Sequence, residues 1–237
     1  KITWPPQYTL RRNPRTKRIS FKVSLRHGLE IVIPQRCALR HVDLALEEAR
    51  DFIEKQLARV HTKREQANAT PLPDKLIFPA TLETWPITYR QTDAPPRLTR
   101  RQQQLTLTGD CHALARVQSS LRTWIKKHAK KRLNPWLRAL SEQHNLPINR
   151  ITIRDQHTRW GSCSEEKNIN LNYKLLFLPQ PLATHILLHE LCHTRHLNHS
   201  QSFWNLLATL DPNFQANKQQ AKKASDHVPL WLELKSD

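Results

Sequence analysis

The 237-residue chain has no methionine, three glycines and four cysteines, and none of the cysteines forms a C-x-x-C pair. That usage excludes a small disulfide scaffold and a cysteine-based zinc finger, and a reducing, cytoplasmic compartment is expected. No apolar run approaches the ~18 residues needed to cross a bilayer, so no membrane partner is expected. The opening residues, KITWPPQYTLRR, lack the charged head and apolar stretch of a secretory signal. The apolar fraction is a modest 38%, but seven tryptophans and many Leu, Ile and Val argue against disorder. The length suits one large domain or two small ones.

What the sequence has in excess is positive charge. Lys and Arg number 38 against 20 Asp and Glu, for a net +18. Residues 1–118 carry 21 basic and 11 acidic side chains and residues 119–237 carry 17 and 9, so the excess (+10 and +8) is no detachable tail. Such a surface speeds encounter with polyanions such as DNA or RNA, and it also favours solubility. Between Arg122 and Arg138 stand seven basic residues and no acid, densest at Lys126, Lys127, Lys130, Lys131 and Arg132. On a helix these form a positive face opposite an apolar stripe, a candidate contact for DNA or RNA. RRNPRTKR (11–18) and RLTRR (97–101) are two further basic clusters.

Hydropathy alternates with period two from Tyr8 to Ile33: Ile19, Phe21, Val23 and Leu25 share a face, and His27-Gly28 turns the chain into Leu29, Ile31 and Ile33. This predicts a β-hairpin. Helical spacing of Val42, Leu46, Ala49, Ile53, Leu57 and Val60 predicts one helix over 39–61, followed by a polar loop over 61–75. Strands are predicted at 76–78, 87–90, 105–108, 151–154 and 168–176. A long helix starts near Ala113 and is interrupted or kinked at Pro135, and Pro179 and Pro181 open another. The fold class is α+β: a β-rich N-terminal region, 1–111, precedes a helix-heavier domain, 112–237.

That last helix carries His189-Glu190-Leu191-Cys192-His193, an H-E-x-x-H. Two histidines four apart lie on one helix face, so both imidazoles can reach one metal ion. Glu190 stands on the neighbouring side as a general base, so residues 112–237 read as a zincin-like catalytic domain with an H-E-x-x-H helix. Zinc suits this chemistry because it lowers the pKa of a bound water towards ~7 and polarises a carbonyl. A catalytic zinc needs a third protein ligand. His196 lies about 10 Å along a straight helix from His189, too far to share the ion. His199 can turn back if the helix ends first, with Asn198 as terminator and Ser200 capping a new helix that carries Phe203, Leu206, Leu207 and Leu210. His199 is therefore preferred. The only glutamate downstream, Glu233, is a poor alternative near the chain end.

The string HELCHTRHLNH has the three-histidine spacing of metzincin proteases, but His196 replaces their glycine and no methionine is present for their Met-turn. Three readings follow: a zinc metallopeptidase, a zinc-dependent endoribonuclease, or a nucleic-acid-associated protein with a structural zinc. H-x3-H-x5-H is also the arrangement of bacterial ribosomal-RNA-processing endoribonucleases.

RWGSCS (159–164), NINLNYKLLFLP (168–179), HELCH (189–193) and NHSQSFW (198–204) resemble the YgjP-like metallopeptidases, which are related to the SprT and WLM metalloproteases. YTLRRNPRTKRISFKV and GLEIVIP extend the resemblance over most of the chain. It implies a protein or peptide substrate, with His189, His193 and His199 as ligands and Glu190 as base. It also brings nucleic-acid-associated proteins into view, since the SprT and WLM relatives act on such targets. Arg159 and Tyr173 are candidates for binding substrate or an oxyanion. Gly161 is expected in a turn near the cleft, and the strand 168–176 can offer an edge to an extended peptide. Cys163 and Cys192 are expected in the core, and Ser162 lacks the context of a nucleophile.

Overall fold

The computed structural model describes residues 3–24, 28–69, 72–156, 158–221, 223–229 and 232. Leu25, His27 and Glu233 lie outside the described residues. The fold is α+β and divides into two compact units, one of residues 1–71 with 230–237, the other Leu72–Pro229.

In the first unit β2 (Ser20–Ser24) and β3 (Gly28–Ile33) pair antiparallel, with Phe21 opposite Ile31, as the alternation predicts. Strand β1 (Tyr8–Arg12) adds to the other side of β3 in parallel. Leu29, Ile31 and Ile33 pack on Val42, Leu46 and Ile53. Those last three come from two helices, α1 (Arg40–Glu48) and α2 (Arg50–Ala69), where one was expected. The break falls at Ala49, whose N–H still bonds the Ala45 carbonyl, so the apolar stripe continues across it. The predicted loop over 61–75 is corrected too. Residues 61–69, HTKREQANA, contain no helix breaker, and α2 runs through them, with His61 and Glu65 3.4 Å apart one turn on.

The second unit holds the site. A sheet of order β4-β5-β7-β6 is built from Lys75–Phe78, Glu83–Gln91, Gln104–Gly109 and Arg97–Arg101. RLTRR, read only as a basic cluster, is thus the edge strand β6. An arginine-rich edge deters further strand pairing. Helix α3 (Leu114–Gln143) continues unbroken through Pro135. The proline removes one backbone bond, but Leu133 and Leu137 on either side are fully buried and hold the helix to the core. Phe78 and Trp85 of the sheet pack around Trp124 and His128 of α3, with the His128 ring stacked on Trp124 at 4.8 Å and 6°. That cluster ties the sheet to α3, and the compact unit accordingly begins at residue 72 and not at 112.

His128 Nε2 lies 2.9 Å from Glu83 Oε2, which also accepts from the Thr81 hydroxyl and pairs with Arg132 at 3.3 Å. Burial holds His128 below its ordinary 6.5 despite Glu83. Burial tends to raise Glu83, but the hydrogen bonds from Thr81 and His128 outweigh it and leave Glu83 below 4.5. Both folded-state values are depressed, so both groups contribute stability that is present above the unfolded values and lost as pH falls. Melting temperature should therefore decline as pH drops from 6.5, more steeply in wild type than in His128→Gln. Parallel profiles for the two proteins would show that this pair does not titrate as stated.

A second sheet of order β8-β10-β9 comprises Ile151–Arg154, Ile169–Asn172 and Gly161–Cys163. Strand β10 is central, parallel to β8 and antiparallel to β9, so it offers no free edge to a peptide. It ends at Asn172, because Tyr173–Phe177 coil into a fully internal 3₁₀ turn. The edge beside the site is β9. Helix α4 (Gln180–Cys192), opened by Pro179 and Pro181 as expected, touches β9, α5 (Gln201–Leu210) and α6 (Phe214–Ala221).

Candidate metal centre

Helix α4 is apolar around its whole circumference: Leu182, Ile186, Leu187, Leu188 and Leu191 are all buried. A helix of that kind sits inside the core, so polar groups in its last turn are held in a dry setting. His189 and Glu190 occupy that turn and His193 caps it. The helix thus ends at Cys192, six residues before Asn198, the expected terminator. Thr194, Arg195 and His196 fold back in a tight turn bonded to the Leu191 and Cys192 carbonyls. The early end brings His199 round to the ion-facing side, just before Ser200 starts α5. Ser200 holds the N-cap position but makes no side-chain capping bond. Phe203 and Leu207 anchor α5, and the Phe203 ring packs on His189, His193 and His199.

Ring nitrogens of His189, His193 and His199, one from each, all lie within 4.8 Å of one another, a group that could hold a metal ion. His189 Nε2 and His199 Nε2 are 3.1 Å apart. His193 Nδ1 donates to the His196 carbonyl at 2.9 Å, which leaves its Nε2 lone pair free for an ion. His196 acts here through its backbone carbonyl, which orients the neighbouring His193 imidazole. Burial, reinforced by His193 and His199, pushes His189 down to about 3, and burial lowers His193 as well. Neutral imidazoles are the form that binds metal. The donor set therefore fits a divalent cation with nitrogen preference.

Glu190 is 5% exposed, and its Oε2 has no hydrogen-bond partner. Burial pushes its carboxyl up to about 8, opposed by the nearby Arg159 guanidinium. A buried polar atom without a partner is costly and rare, and it points to something that arrives at the site. Gly161 explains how the carboxylate is confined. A Cβ at that position would stand 2.6 Å from Glu190 Cγ and Oε1. Gly161 lies in β9 and not in the expected turn; it is glycine so that the strand can pass directly over Glu190.

Arg159 is brought to the same cavity, of about 380 Å³, together with Trp160, His189 and Glu190. Asn172 fixes that segment: its side-chain N–H groups donate to the Gln156 and Arg159 carbonyls. Tyr173, the other expected substrate contact, is corrected: it is fully buried in the turn after β10, beneath the Lys126 ammonium, and does not line the cavity. Cys192 is buried and pushed up to about 12, and Cys163 is half-buried and raised to about 11, in both cases mainly by burial. Both are thiols at ordinary pH, in keeping with packing roles.

Sequence reading missed two contributors. His185, one turn before His189, is buried and its Nδ1 lies 2.7 Å from Asp211 Oδ2. The spacing H-x3-H-E-x2-H was the available signal. Lys218, on α6, lies over the Trp204 ring at 3.6 Å, and no local pattern announces it. A larger hollow of about 1030 Å³ in the first unit, along α2, is lined by none of these groups.

A family model described as YgjP-like, metallopeptidase domain, matches residues 17–224. The chain belongs to the YgjP-like metallopeptidase family. It is accordingly a metallopeptidase, a hydrolase of protein or peptide substrates. One solved structure, the metallopeptidase zymogen abylysin of Pyrococcus abyssi, is 23% identical over 43% of this chain and 95% of its own, with a TM-score of 0.32. The search of curated proteins finds no match. Among the described residues no helix is long and apolar enough to cross a membrane.

Proposed function

We propose a zinc-dependent peptidase in which His189, His193 and His199 hold the ion and Glu190 is the general base. The observation that carries this reading is the convergence of three imidazole nitrogens within 4.8 Å, beside a buried carboxylate one residue along the helix. Three nitrogen donors with a position left open are the arrangement zinc takes in catalytic sites. When bound, the ion supplies Lewis acidity, acidifying a coordinated water towards pH ~7 and polarising the scissile carbonyl. Glu190 accepts the proton of the attacking water and passes it to the leaving amine. Burial raises its affinity for a proton, which favours taking up the proton that later goes to the leaving amine. Arg159 faces the substrate from beside β9, and burial keeps the Glu190 carboxylate apart from bulk water.

Nucleic-acid-associated proteins remain the substrates that best match the +18 charge. Of the seven bases between Arg122 and Arg138 on α3, Arg122 is buried, Lys126 pairs with Asp155 and Arg132 with Glu83. Lys127, Lys130, Lys131 and Arg138 are exposed and supply the polyanion contact.

X-ray absorption at the zinc edge tests the ligand set. One zinc per chain with three protein nitrogens is expected; a sulfur ligand, or protein that takes up no zinc, overturns it. His199→Ala should weaken zinc binding by more than the roughly 10–100-fold typical of losing a supporting partner, because a direct ligand is removed. Unchanged affinity would remove His199 from the set. Casein and RNA offered in parallel separate the peptidase from a nuclease: RNA cleavage abolished by Glu190→Ala, with casein untouched, contradicts the proposal.

A further inference from the structure

Asp211 is the hub of the wall that faces β9 across the cavity. Its carboxylate takes His185 Nδ1 at 2.7 Å, Asn217 Nδ2 at 3.0 and 3.2 Å, and the Asn213 backbone N–H at 3.0 Å. All three partners hold the turn between α5 and α6 against α4, and Asp211, His185 and Asn217 are buried. Lys218 follows Asn217 directly, so the same clamp fixes where its side chain leaves α6. The ammonium then settles 3.6 Å over Trp204, whose ring also stacks on His199 at 5.4 Å and 26°. A cation on an indole face is held in place while keeping N–H donors for another partner.

Lys218 and Trp204 line the same cavity of about 380 Å³ as Arg159 and Glu190. Glu190 is the only acid on that lining, and among the described residues neither Lys218 nor Arg159 is in an ion pair. Two cations, one of them seated on an indole, outnumber the single acid of the lining, and with the two indoles they make a pocket suited to an anion with an apolar stem.

Resting on the peptidase reading, we propose that Lys218, with Arg159, makes this cavity a receptor for a carboxylate of the peptide substrate. That carboxylate belongs either to an acidic side chain or to the free C-terminus, the two anions an unmodified peptide carries.

Equilibrium binding to the zinc-loaded Glu190→Gln protein tests this without turnover. The probes are matched peptides, one pair with internal Glu against Gln, the other with a free against an amidated C-terminus. One pair should show about tenfold tighter binding of the carboxylate form, and which pair does so identifies the source. Lys218→Gln should collapse the preference to within about twofold, and Lys218→Arg, which keeps the charge, should restore it. Equal binding within both pairs overturns the proposal. So does a preference that survives Lys218→Gln, which would place the carboxylate on the zinc, and so does an equal weakening of all four peptides by Lys218→Gln, which would make Lys218 a packing residue. Cleavage of the same peptides by wild type reports on the peptidase reading separately. Without cleavage that reading fails, while a Lys218-dependent preference still stands.

Discussion

Glu190→Ala should bind zinc as wild type does and lose peptide hydrolysis by roughly 10²–10⁴-fold, the usual contribution of a positioned general base. The histidine nitrogens converge without any bond to Glu190, so the ligand set does not depend on it. The substitution also removes a buried oxygen that has no hydrogen-bond partner, so stability should not fall by the amount expected for breaking a satisfied network. Zinc content, melting temperature and casein turnover, measured on one preparation, separate these effects. Loss of zinc together with activity would mean that Glu190 serves the metal and not the proton.

Gly161→Ala should have the second-largest effect, from a single methyl group. The new Cβ would meet Glu190 Cγ, Cδ and Oε1 at 2.6–2.7 Å, closer than real carbon contacts allow. Either β9 shifts, at about 1–3 kcal/mol for overpacking, or the carboxylate is displaced from its position. A displacement on the order of 1 Å can cost ~10²-fold in rate. The mechanism predicts strong coupling: on a Glu190→Ala background there is no side chain to displace, so Gly161→Ala should then add little. A full additional loss in the double variant would show that Gly161 acts elsewhere. Turnover of the two single variants and the double variant completes that cycle.

The three proposed ligands are legible because they are a local pattern: His189 and His193 are one turn apart, and His199 follows six residues later. Even so, the route by which His199 returns was read wrongly. Asn198 looked like the terminator, whereas the helix stops at Cys192 and a tight turn at 194–196 does the work. Gly161, Asp211 and Lys218 act through contacts with residues far along the chain, and single-sequence periodicity carries no record of such contacts. Tyr173 and the strand around it illustrate a related limit. Alternation of Ile169, Leu171 and Tyr173 identified the strand, but two-sided burial of β10 and its end at Asn172 depend on which neighbours pair with it. Helix α2 was misread over 61–69 for the opposite reason: polarity resembled a loop, although nothing in HTKREQANA opposes a helix.

The basic surface takes a smaller place than the composition suggested. Burial and ion pairing engage three of the seven bases between Arg122 and Arg138, while two cations, Arg159 and Lys218, stand at the cavity itself. Charge is thus positioned to select substrate as well as to attract polyanions.

Stepwise return of zinc to metal-stripped protein, with casein cleavage followed at each addition, tests the central claim most directly. Cleavage should be absent without metal, rise with added zinc and level off at one equivalent per chain. Undiminished cleavage by the stripped protein, or one equivalent of bound zinc with no cleavage of casein, would contradict it.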